Sequence, residues 1–447
     1  MCASCTNNPC DRAIVGSAEG SVKDPVIPSH YSFRRAAMNV SPLLHDLPPH
    51  LNHVVAEAQS VASNLGVELY LVGGPVRDLM LKRAVVDLDF SVVGDAAAFA
   101  HALAERAGGA LVAESPFGTA KVAVAGIEVD VASARIERYK HPGALPTVGP
   151  ATILEDLARR DFTVNAMAVA LHGKEFGLLL DPHGGQADID SHLLRVLHDI
   201  SFQDDATRML RGVRFAVRLG FGFESKTEAL LRRDAGMLDT ISGDRLHNEL
   251  FRLLQEPDPA ACLRLAGDLG LLQAIHPALG DQRAISGNVR SLQAQSRDSA
   301  LLLAAMVWGL EPEDAKALAS RLSLSRGDVA LLEQVAAFPS LRATLDEKDI
   351  RPSKVVRLLK GQSEKALQVA AALERNNRVA ELVRSYLGEW RHIQPMLSGD
   401  DLQGLGVVVG PRLGEMLQRL RDARLDGEVS TREDEVGWVR EFRKSRG

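Results

Sequence analysis

The sequence is poor in aromatic residues and in cysteine. Phe, Trp and Tyr make up only 4% of the 447 residues, which argues against RNA binding through base-stacking sheets. Four cysteines are too few for a disulfide scaffold in a chain of this length. No run approaches the roughly 18 apolar residues of a membrane helix, and the first residues lack the apolar h-region of a secretion signal. We therefore expect a cytoplasmic protein without a membrane anchor.

Positive charge is not in excess either. The chain has 52 Lys and Arg against 58 Asp and Glu, a net charge of −6. This balance excludes a uniformly basic nucleic-acid coat but allows a local basic groove. Hydrophobic residues make up 46% and charged residues 25% of the chain, as in globular domains. At roughly 150 residues per domain, the length predicts about three domains.

Residues 1–40 are rich in Ser, Pro, Asn and Gly and show no periodicity. We predict an unstructured leader, with Met38 as an alternative start of translation. Cys2, Cys5 and Cys10 lie in this leader. A C-x-x-C pair can bind zinc, but a structural zinc site usually has four protein ligands, so reduced thiols are the simpler interpretation.

A compact α/β unit is predicted over residues 67–135, after a helix over 49–65. The run ELYLVGG predicts a strand that ends in a glycine turn, PVRDLMLKR a short helix, and VVDLDFSVVG a second strand. A helix entered at Asp95 follows, and then two strands hinged at Gly126. Beyond these elements, ERYKHPGALPTVG predicts a loop, and the remainder of the chain predicts mainly helices.

Two glycines and two aspartates indicate a phosphate and metal site. Gly73 and Gly74 stand between a strand and a helix, where the backbone can approach an anion and free N–H groups are available. Arg77 can donate two charge-assisted hydrogen bonds to a phosphate. Asp87 and Asp89, two apart on a strand, present both carboxylates on one face. Carboxylates and phosphate oxygens are the usual ligands of Mg²⁺.

A third carboxylate would complete a two-metal site. Asp130 and Glu128 both lie in the run IEVDVASAR and project to the same face of a strand. Each feature alone is common in turns and on surfaces. In the order strand, glycine turn, helix, paired carboxylates and distant acid, they together favour nucleotidyl transfer.

These segments resemble those of a known family. LVGGPVRDLMLKRAVVDLDFSVVG resembles the first motif of the class II tRNA nucleotidyltransferases, the bacterial-type CCA-adding enzymes and their poly(A) polymerase relatives. FGTAKVAV with EVDVASAR, LEDLARRDFTVNAMA, DDATRMLRGVRFA and ISGDRLHNELFRLL resemble four further motifs in order. The resemblance covers about residues 67–275. It implies an α+β fold: a nucleotidyltransferase head with a mixed sheet over 41–181, a helical neck over 182–280, and a helical body and tail for tRNA binding over 281–447.

The resemblance also implies an activity and roles for single residues. The enzyme would add C, C and A to tRNA 3′ ends from CTP and ATP, with Mg²⁺ and without a nucleic-acid template. Asp87 and Asp89 would bind the metal, and the third acid falls on Asp130. The residues implied to contact or shape the site of the incoming nucleotide are Gly73, Gly74, Arg77, Arg160, Asp161, Asn165, Asp205, Arg208, Arg211 and Arg214.

Asp205 and Arg208 would read the base. A carboxylate accepts from the exocyclic amine of cytosine and adenine, whereas uracil and guanine lack that donor and would leave a buried partner unpaired. We expect the two residues to be neighbours on one helix. Arg214 would lie on the opposite side of that helix from Asp205, either as a contact to the nucleotide, as for Arg211, or as a surface charge.

Small departures from the family pattern leave alternatives open. Asp204 and Asp244 stand where the family usually has Glu. The loop YKHPGALP is full-length, which favours addition of the terminal A, and SVVGDAAAFA lacks the basic segment of poly(A) polymerases. The alternatives are a poly(A) polymerase, an enzyme that adds only A or only CC, and an RNA-binding protein on a catalytically inactive head. The sequence leaves the oligomeric state open.

Overall fold

The computed structural model describes residues 38–139, 141, 143–144 and 146–444. The predicted leader, with Cys2, Cys5 and Cys10, therefore lies outside the described residues except for its last three positions. Within the described ranges, no helix is both long and apolar enough to cross a membrane. The chain divides into two compact units, and the described part of the first comprises 38–139, 141, 146–160 and 166–183. The second comprises 143–144, 161–165 and 184–444.

The first unit combines a sheet with short helices. Its elements are α1 (Ser41–His45), α2 (Pro49–Leu65), β1 (Glu68–Val72), α3 (Gly74–Met80), β2 (Leu88–Val93), α4 (Ala96–Arg106), β3 (Ala110–Ser115), β4 (Thr119–Val124), β5 (Ile127–Ser133), β6 (Arg135–Arg138), β7 (Thr147–Pro150), α5 (Ile153–Ala158), β8 (Ala168–Ala170) and β9 (Leu179–Leu180). The helix predicted over 49–65 and the strand after it are confirmed. The predicted loop ERYKHPGALPTVG is wrong in part, because β6 and β7 pair antiparallel.

The sheet of this unit is mixed, as predicted. Within the described residues it has seven strands in the order β3-β4-β5-β2-β1-β8-β9. β2 and β5 run parallel, and the other neighbouring pairs are antiparallel. Since β1 ends next to the start of β2, the glycine turn after β1 lies at the same edge of the sheet as the first residues of β2.

Apolar side chains cover the sheet. Tyr70, Val72 and Leu157 belong to a buried cluster that joins β1, β8 and α5. α4 packs against β4, β5 and β2, and Phe99 from this helix meets Phe90 of β2 edge to face. Asp95 caps α4 as predicted, because its carboxylate accepts from the first backbone N–H groups of the helix. The sheet is thus a rigid support for the site at its edge.

The second unit is predominantly helical. Its elements are α6 (Gly185–Asp190), β10 (Leu193–Leu194), α7 (Ser201–Asp204), α8 (Thr207–Leu219), β11 (Gly222–Phe223), α9 (Ser225–Asp234), α10 (Gly243–Leu254), α11 (Pro259–Asp268), α12 (Leu271–Ile275), α13 (Gln282–Gln293), α14 (Ser299–Met306), α15 (Pro312–Arg321), α16 (Arg326–Leu345), α17 (Pro352–Leu359), α18 (Glu364–Leu373), α19 (Asn377–Gly388), α20 (Gly399–Gly404), α21 (Pro411–Leu425) and α22 (Arg432–Lys444). α8, α10 and α11 pack on one another. Further along, one buried cluster joins α16 to α19 and another joins α20 to α22.

Candidate active site

The predicted carboxylates lie on neighbouring strands of the first unit. Asp89 on β2 pairs in register with Asp130 on β5, so their side chains leave the sheet on the same face. Asp87 directly precedes β2 and is exposed. Glu128, the competing candidate for the third acid, pairs with Ala123 on β4. The register therefore supports Asp130 as the carboxylate next to Asp89.

Two positively charged side chains, Lys121 and Arg160, lie close to these carboxylates. Burial, together with the negative charges of Asp87 and Asp130, raises the pKa of Asp89 to about 6, and Arg160 and Lys121 act in the opposite direction. The Lys121 ammonium lies 2.8 Å from Asp130 Oδ1 and 3.2 Å from Glu128. Burial and the neighbouring carboxylates thus disfavour the charged form of Asp89, and positive charge near it stabilises that form.

The glycine turn has the conformation that its sequence predicts. Gly73 has φ 72° and ψ −128°, a region that is costly for any residue with a side chain. Gly74 then begins α3, with Pro75 in its first turn. Arg77 is buried, and its guanidinium donates to both carboxylate oxygens of Asp78 at 3.0 Å. Arg77 is therefore already paired with Asp78, and its contact with a phosphate stays a prediction.

Arg160 is held by a buried carboxylate. Asp156 is 1% exposed and accepts from Arg160 Nη2 at 2.9 Å and from Arg159 Nη2 at 2.6 Å. Burial acts to raise the pKa of Asp156, but Arg160 and Arg159 hold it below its usual value. Arg160 Nε is buried without a hydrogen-bond partner in the described part of the chain. This leaves a donor that a bound ligand can satisfy.

The second unit contains the other predicted residues. Asp161 is buried and accepts from Arg211 at 2.7 Å and from the Asn165 amide at 3.1 Å. Burial acts to raise the pKa of Asp161, but Arg211 and the hydrogen bonds hold it below its usual value. Arg211 also lies over the ring of Phe215, 5.6 Å from its centre. Asp161, Asn165 and Arg211 are therefore brought together, as members of one polar cluster.

Asp205 and Arg208 lie near each other, but not on one helix. Asp205 has an extended conformation, φ −143° and ψ 102°, between α7 and α8, so the prediction of a shared helix is wrong. The physical reason is that the Asp205 carboxylate accepts from the backbone N–H of Thr207, at 3.0 Å, where α8 begins. Arg208 is buried in the first turn of α8 and donates to Ser201 Oγ at 2.7 Å.

Arg214 takes part in an ion-pair network. Its guanidinium donates to Glu256 at 2.9 Å and to Glu249 at 3.2 Å, and both carboxylates are buried. Arg218 donates to the same Glu256 at 2.5 Å. The nucleotide contact of Arg214 stays a prediction, and the contacts that the structure shows join α8 to α10 and to the segment that follows it.

Two family models match the chain. One, described as "Poly A polymerase head domain", matches residues 69–195. The other, described as "Probable RNA and SrmB- binding site of polymerase A", matches residues 220–282. A protein of Halalkalibacterium halodurans named A-adding tRNA nucleotidyltransferase is 33% identical over 389 residues, 86% of this chain and 90% of that protein. The chain belongs to the tRNA nucleotidyltransferase family.

Members of the family from one organism differ in their similarity to the chain. The A-adding tRNA nucleotidyltransferase of Geobacter sulfurreducens is 38% identical over 399 residues, 84% of this chain, and the chain spans 45% of its length. The CC-adding tRNA nucleotidyltransferase of the same organism is 28% identical over 410 residues, 83% of this chain and 91% of that protein.

Solved structures of the family share the fold. A CCA-adding enzyme in an apo form has a TM-score of 0.77 at 30% identity, covering 90% of this chain and 98% of that chain. The Thermotoga maritima CCA-adding enzyme complexed with tRNA has a TM-score of 0.71 at 30% identity, with the same coverage. The predicted α+β fold and the enzyme class, a nucleotidyltransferase, are thereby confirmed.

The family generally uses a divalent metal, and the donor set of the first unit fits one. Asp87 and Asp89 offer two carboxylates at one edge of the sheet, and their mutual repulsion favours a cation. Across the described residues no group of three or more His, Cys, Asp and Glu side chains is arranged to hold a metal ion. A pair of carboxylates completed by substrate phosphates is a usual environment for Mg²⁺. The metal, and Mg²⁺ in particular, stays a prediction for this chain.

The sequence analysis missed residues that hold the predicted ones in place. They are Lys121 beside Asp130, Asp156 beside Arg160, Ser201 beside Arg208, and Glu256 beside Arg214. Arg245 beside Asp205 and Glu249 beside Arg214 belong to the segment ISGDRLHNELFRLL, which resembles the motif that supports the base-reading helix in the family. Among the missed residues, Lys121 had a signal in the sequence. A two-residue turn at Ala125 and Gly126 pairs residues equally distant from it, and Lys121 and Asp130 are such a pair.

Proposed function

We propose that the protein adds the terminal A to tRNA 3′ ends from ATP, in the cytoplasm and without a nucleic-acid template. The observation that carries nucleotidyl transfer, the reaction within this proposal, is the register pairing of Asp89 with Asp130, beside Asp87. Carboxylates grouped next to a glycine turn, with Arg160 near Asp89, suit a phosphoryl group whose charge must be neutralised.

The reaction needs positioning and charge stabilisation more than covalent chemistry by the protein. The tRNA 3′-hydroxyl would attack the α-phosphate of ATP, and pyrophosphate would leave. Asp87 and Asp89 would hold a divalent metal, Mg²⁺ in our proposal, which when bound neutralises phosphate charge and lowers the pKa of the attacking hydroxyl. The turn at Gly73 and Gly74 would let the triphosphate approach the backbone, and Arg160 would contact it.

The choice of nucleotide rests on the comparisons. Within Geobacter sulfurreducens, the A-adding protein is 38% identical to the chain and the CC-adding protein is 28% identical, which favours addition of A. The full-length loop YKHPGALP favours the same step. A second candidate, addition of C, C and A as the sequence predicts, is favoured by the structural similarity to CCA-adding enzymes.

Three tRNA substrates separate these candidates. We expect a tRNA ending in CC to accept a single A from ATP with Mg²⁺, as measured on a sequencing gel with each nucleoside triphosphate offered alone. Substrates that end before CCA, or after the first C, accept nothing if the enzyme adds only A, and accept C if it adds CCA. A long A tail would identify a poly(A) polymerase. Absence of incorporation on all three would contradict the proposal and support the RNA-binding alternative.

The proposed contact with tRNA has a candidate surface in the second unit. Arg283, Asn288 and Ser291 of α13 and Arg375 after α18 line a cleft of about 330 Å³. The two arginines are exposed and make no ion pair with the described residues. Glu374 also lines the cleft, but Arg342 already neutralises it at 2.6 Å. Two such unpaired guanidinium groups suit the phosphates of an RNA backbone.

Reversing both charges tests this surface. In the double variant Arg283→Glu/Arg375→Glu we expect the KM for tRNA to rise about tenfold at 0.1 M salt, because each lost phosphate contact lowers the affinity for tRNA. The affinity should also depend less steeply on the salt concentration. The KM for ATP should stay unchanged. The matched control is Arg326→Glu/Arg440→Glu, which reverses two exposed arginines of the same unit away from the cleft. Equal effects of the two double variants on tRNA would contradict the assignment.

A further inference from the structure

The two carboxylate oxygens of Asp205 have different surroundings. Oδ1 accepts three hydrogen bonds: from Arg245 Nη2 at 2.7 Å, from Thr207 Oγ1 at 2.7 Å and from the Thr207 backbone N–H at 3.0 Å. Oδ2 accepts none from the described residues. The protein therefore saturates Oδ1 with three donors, whereas Oδ2 keeps its full capacity to accept hydrogen bonds.

Three separate segments create this asymmetry. Asp205 stands in extended conformation before α8, and Thr207 is the first residue of that helix. Arg245 comes from the first turn of α10, where Ser242 caps the helix. The side chains of Asp205 and Arg245 are 21% and 27% exposed. A ligand can therefore reach Asp205, although most of the pair is withdrawn from water.

The partner residue in base reading is anchored in a similar way. Arg208 is 5% exposed, and its Nη1 donates to Ser201 Oγ at 2.7 Å and to the Ser201 carbonyl at 3.4 Å. Side chains held by several hydrogen bonds lose little further freedom when a ligand binds. Such restraint is required if two side chains are to distinguish bases by hydrogen bonds alone.

We propose that Arg245 and Thr207 are positioning residues that hold Asp205 by Oδ1 and leave Oδ2 as the acceptor for the exocyclic amine of the incoming base. The proposal rests on the proposed function and specifies how the base is selected. Adenine donates from this amine to Oδ2. Guanine has a carbonyl oxygen in the same place, which a fixed carboxylate repels, and the mismatch leaves a desolvated acceptor unpaired. If Asp205 could rotate, it would avoid this penalty and the selectivity would fall.

The test compares ATP with GTP. In Arg245→Gln, Oδ1 loses its charged donor, and we expect the ratio of kcat/KM for ATP over GTP on a tRNA ending in CC to fall roughly tenfold. Thr207→Val removes one neutral donor at nearly constant volume, so its ratio should fall by about threefold. Arg245→Lys keeps the charge and should recover part of the loss. The matched control Arg232→Gln removes an exposed arginine that pairs with Glu228, and its ratio should stay within about twofold of the unmodified protein.

A second measurement separates this proposal from the proposed function. Equilibrium binding of ATP and GTP to the full chain, without tRNA, reports base selection even if no nucleotide is incorporated. Loss of the ATP preference in Arg245→Gln supports the positioning role in either case. If Arg245→Gln and Thr207→Val lower turnover with ATP and GTP equally, or if the unmodified protein binds both nucleotides alike, the positioning role is overturned. Circular dichroism checks that each variant is folded. If Arg245→Gln does not fold, the comparison of Thr207→Val with the unmodified protein still tests the proposal.

Discussion

Replacing Asp87 with Ala is expected to abolish nucleotide incorporation and to leave tRNA binding intact. Asp87 would hold the divalent metal together with Asp89. Loss of one transition-state hydrogen bond already costs about 10²–10³ in rate, so loss of a metal ligand should lower kcat by at least about 10³-fold. Incorporation of A into a tRNA ending in CC, measured in single turnover, gives the rate. A filter-binding assay gives the affinity for tRNA.

Asp87 is suited to this experiment because it does little for the fold. It is exposed and makes no hydrogen bond or ion pair with the described residues, and its removal relieves part of the repulsion that raises the pKa of Asp89. Asp46→Ala is the matched control, since Asp46 is also an exposed aspartate of the first unit. Undiminished incorporation by Asp87→Ala would show that the metal assignment is wrong. Loss of tRNA binding would instead point to a defect in folding.

The elements that could be predicted from the sequence are those with local signals. The helix over 49–65 has an apolar stripe and ends at Gly66 in a left-handed conformation. The hinge at Gly126 places β4 and β5 side by side. The ribbon of β6 and β7 was missed because both strands are short and partly exposed. β3 was missed for a similar reason, since it lies at the edge of the sheet and most of its residues are exposed.

The same distinction applies to the candidate site. The carboxylates and glycines of the first unit are close in sequence to the strands that position them, so the periodicity of a strand predicts their common face. The pairing of Arg245 with Asp205 spans 40 residues, and that of Arg214 with Glu256 spans 42. Contacts of this range depend on how helices pack, which periodicity does not determine. The prediction placed Asp205 on the helix of Arg208 because a spacing of three residues suits neighbours on one helix. In the structure the Asp205 carboxylate accepts from the backbone N–H of Thr207, a local bond that competes with the helical conformation and that the spacing does not reveal.

Replacing Glu256 with Ala is expected to destabilise the second unit strongly. Glu256 is 2% exposed and accepts from Arg214 at 2.9 Å and from Arg218 at 2.9 and 2.5 Å. Removal of one member of a buried ion pair leaves the other charge without compensation and costs about 3–5 kcal/mol. Arg214 would keep Glu249, 5% exposed, which already accepts from Arg252 at 2.7 Å. The cost should therefore lie toward the lower end of that range.

Urea unfolding followed by tryptophan fluorescence measures this effect in the second unit, because all three tryptophans, Trp308, Trp390 and Trp438, lie there. The matched control Glu228→Ala removes a glutamate that is 42% exposed and paired with Arg232 on the same helix. Its cost should be under about 1 kcal/mol, since water already screens such pairs. A similar small loss in Glu256→Ala would contradict the prediction, and would mean that the arginines of α8 reach water or other acceptors. A large loss would show that the ion pairs with Glu256 stabilise the packing of α8.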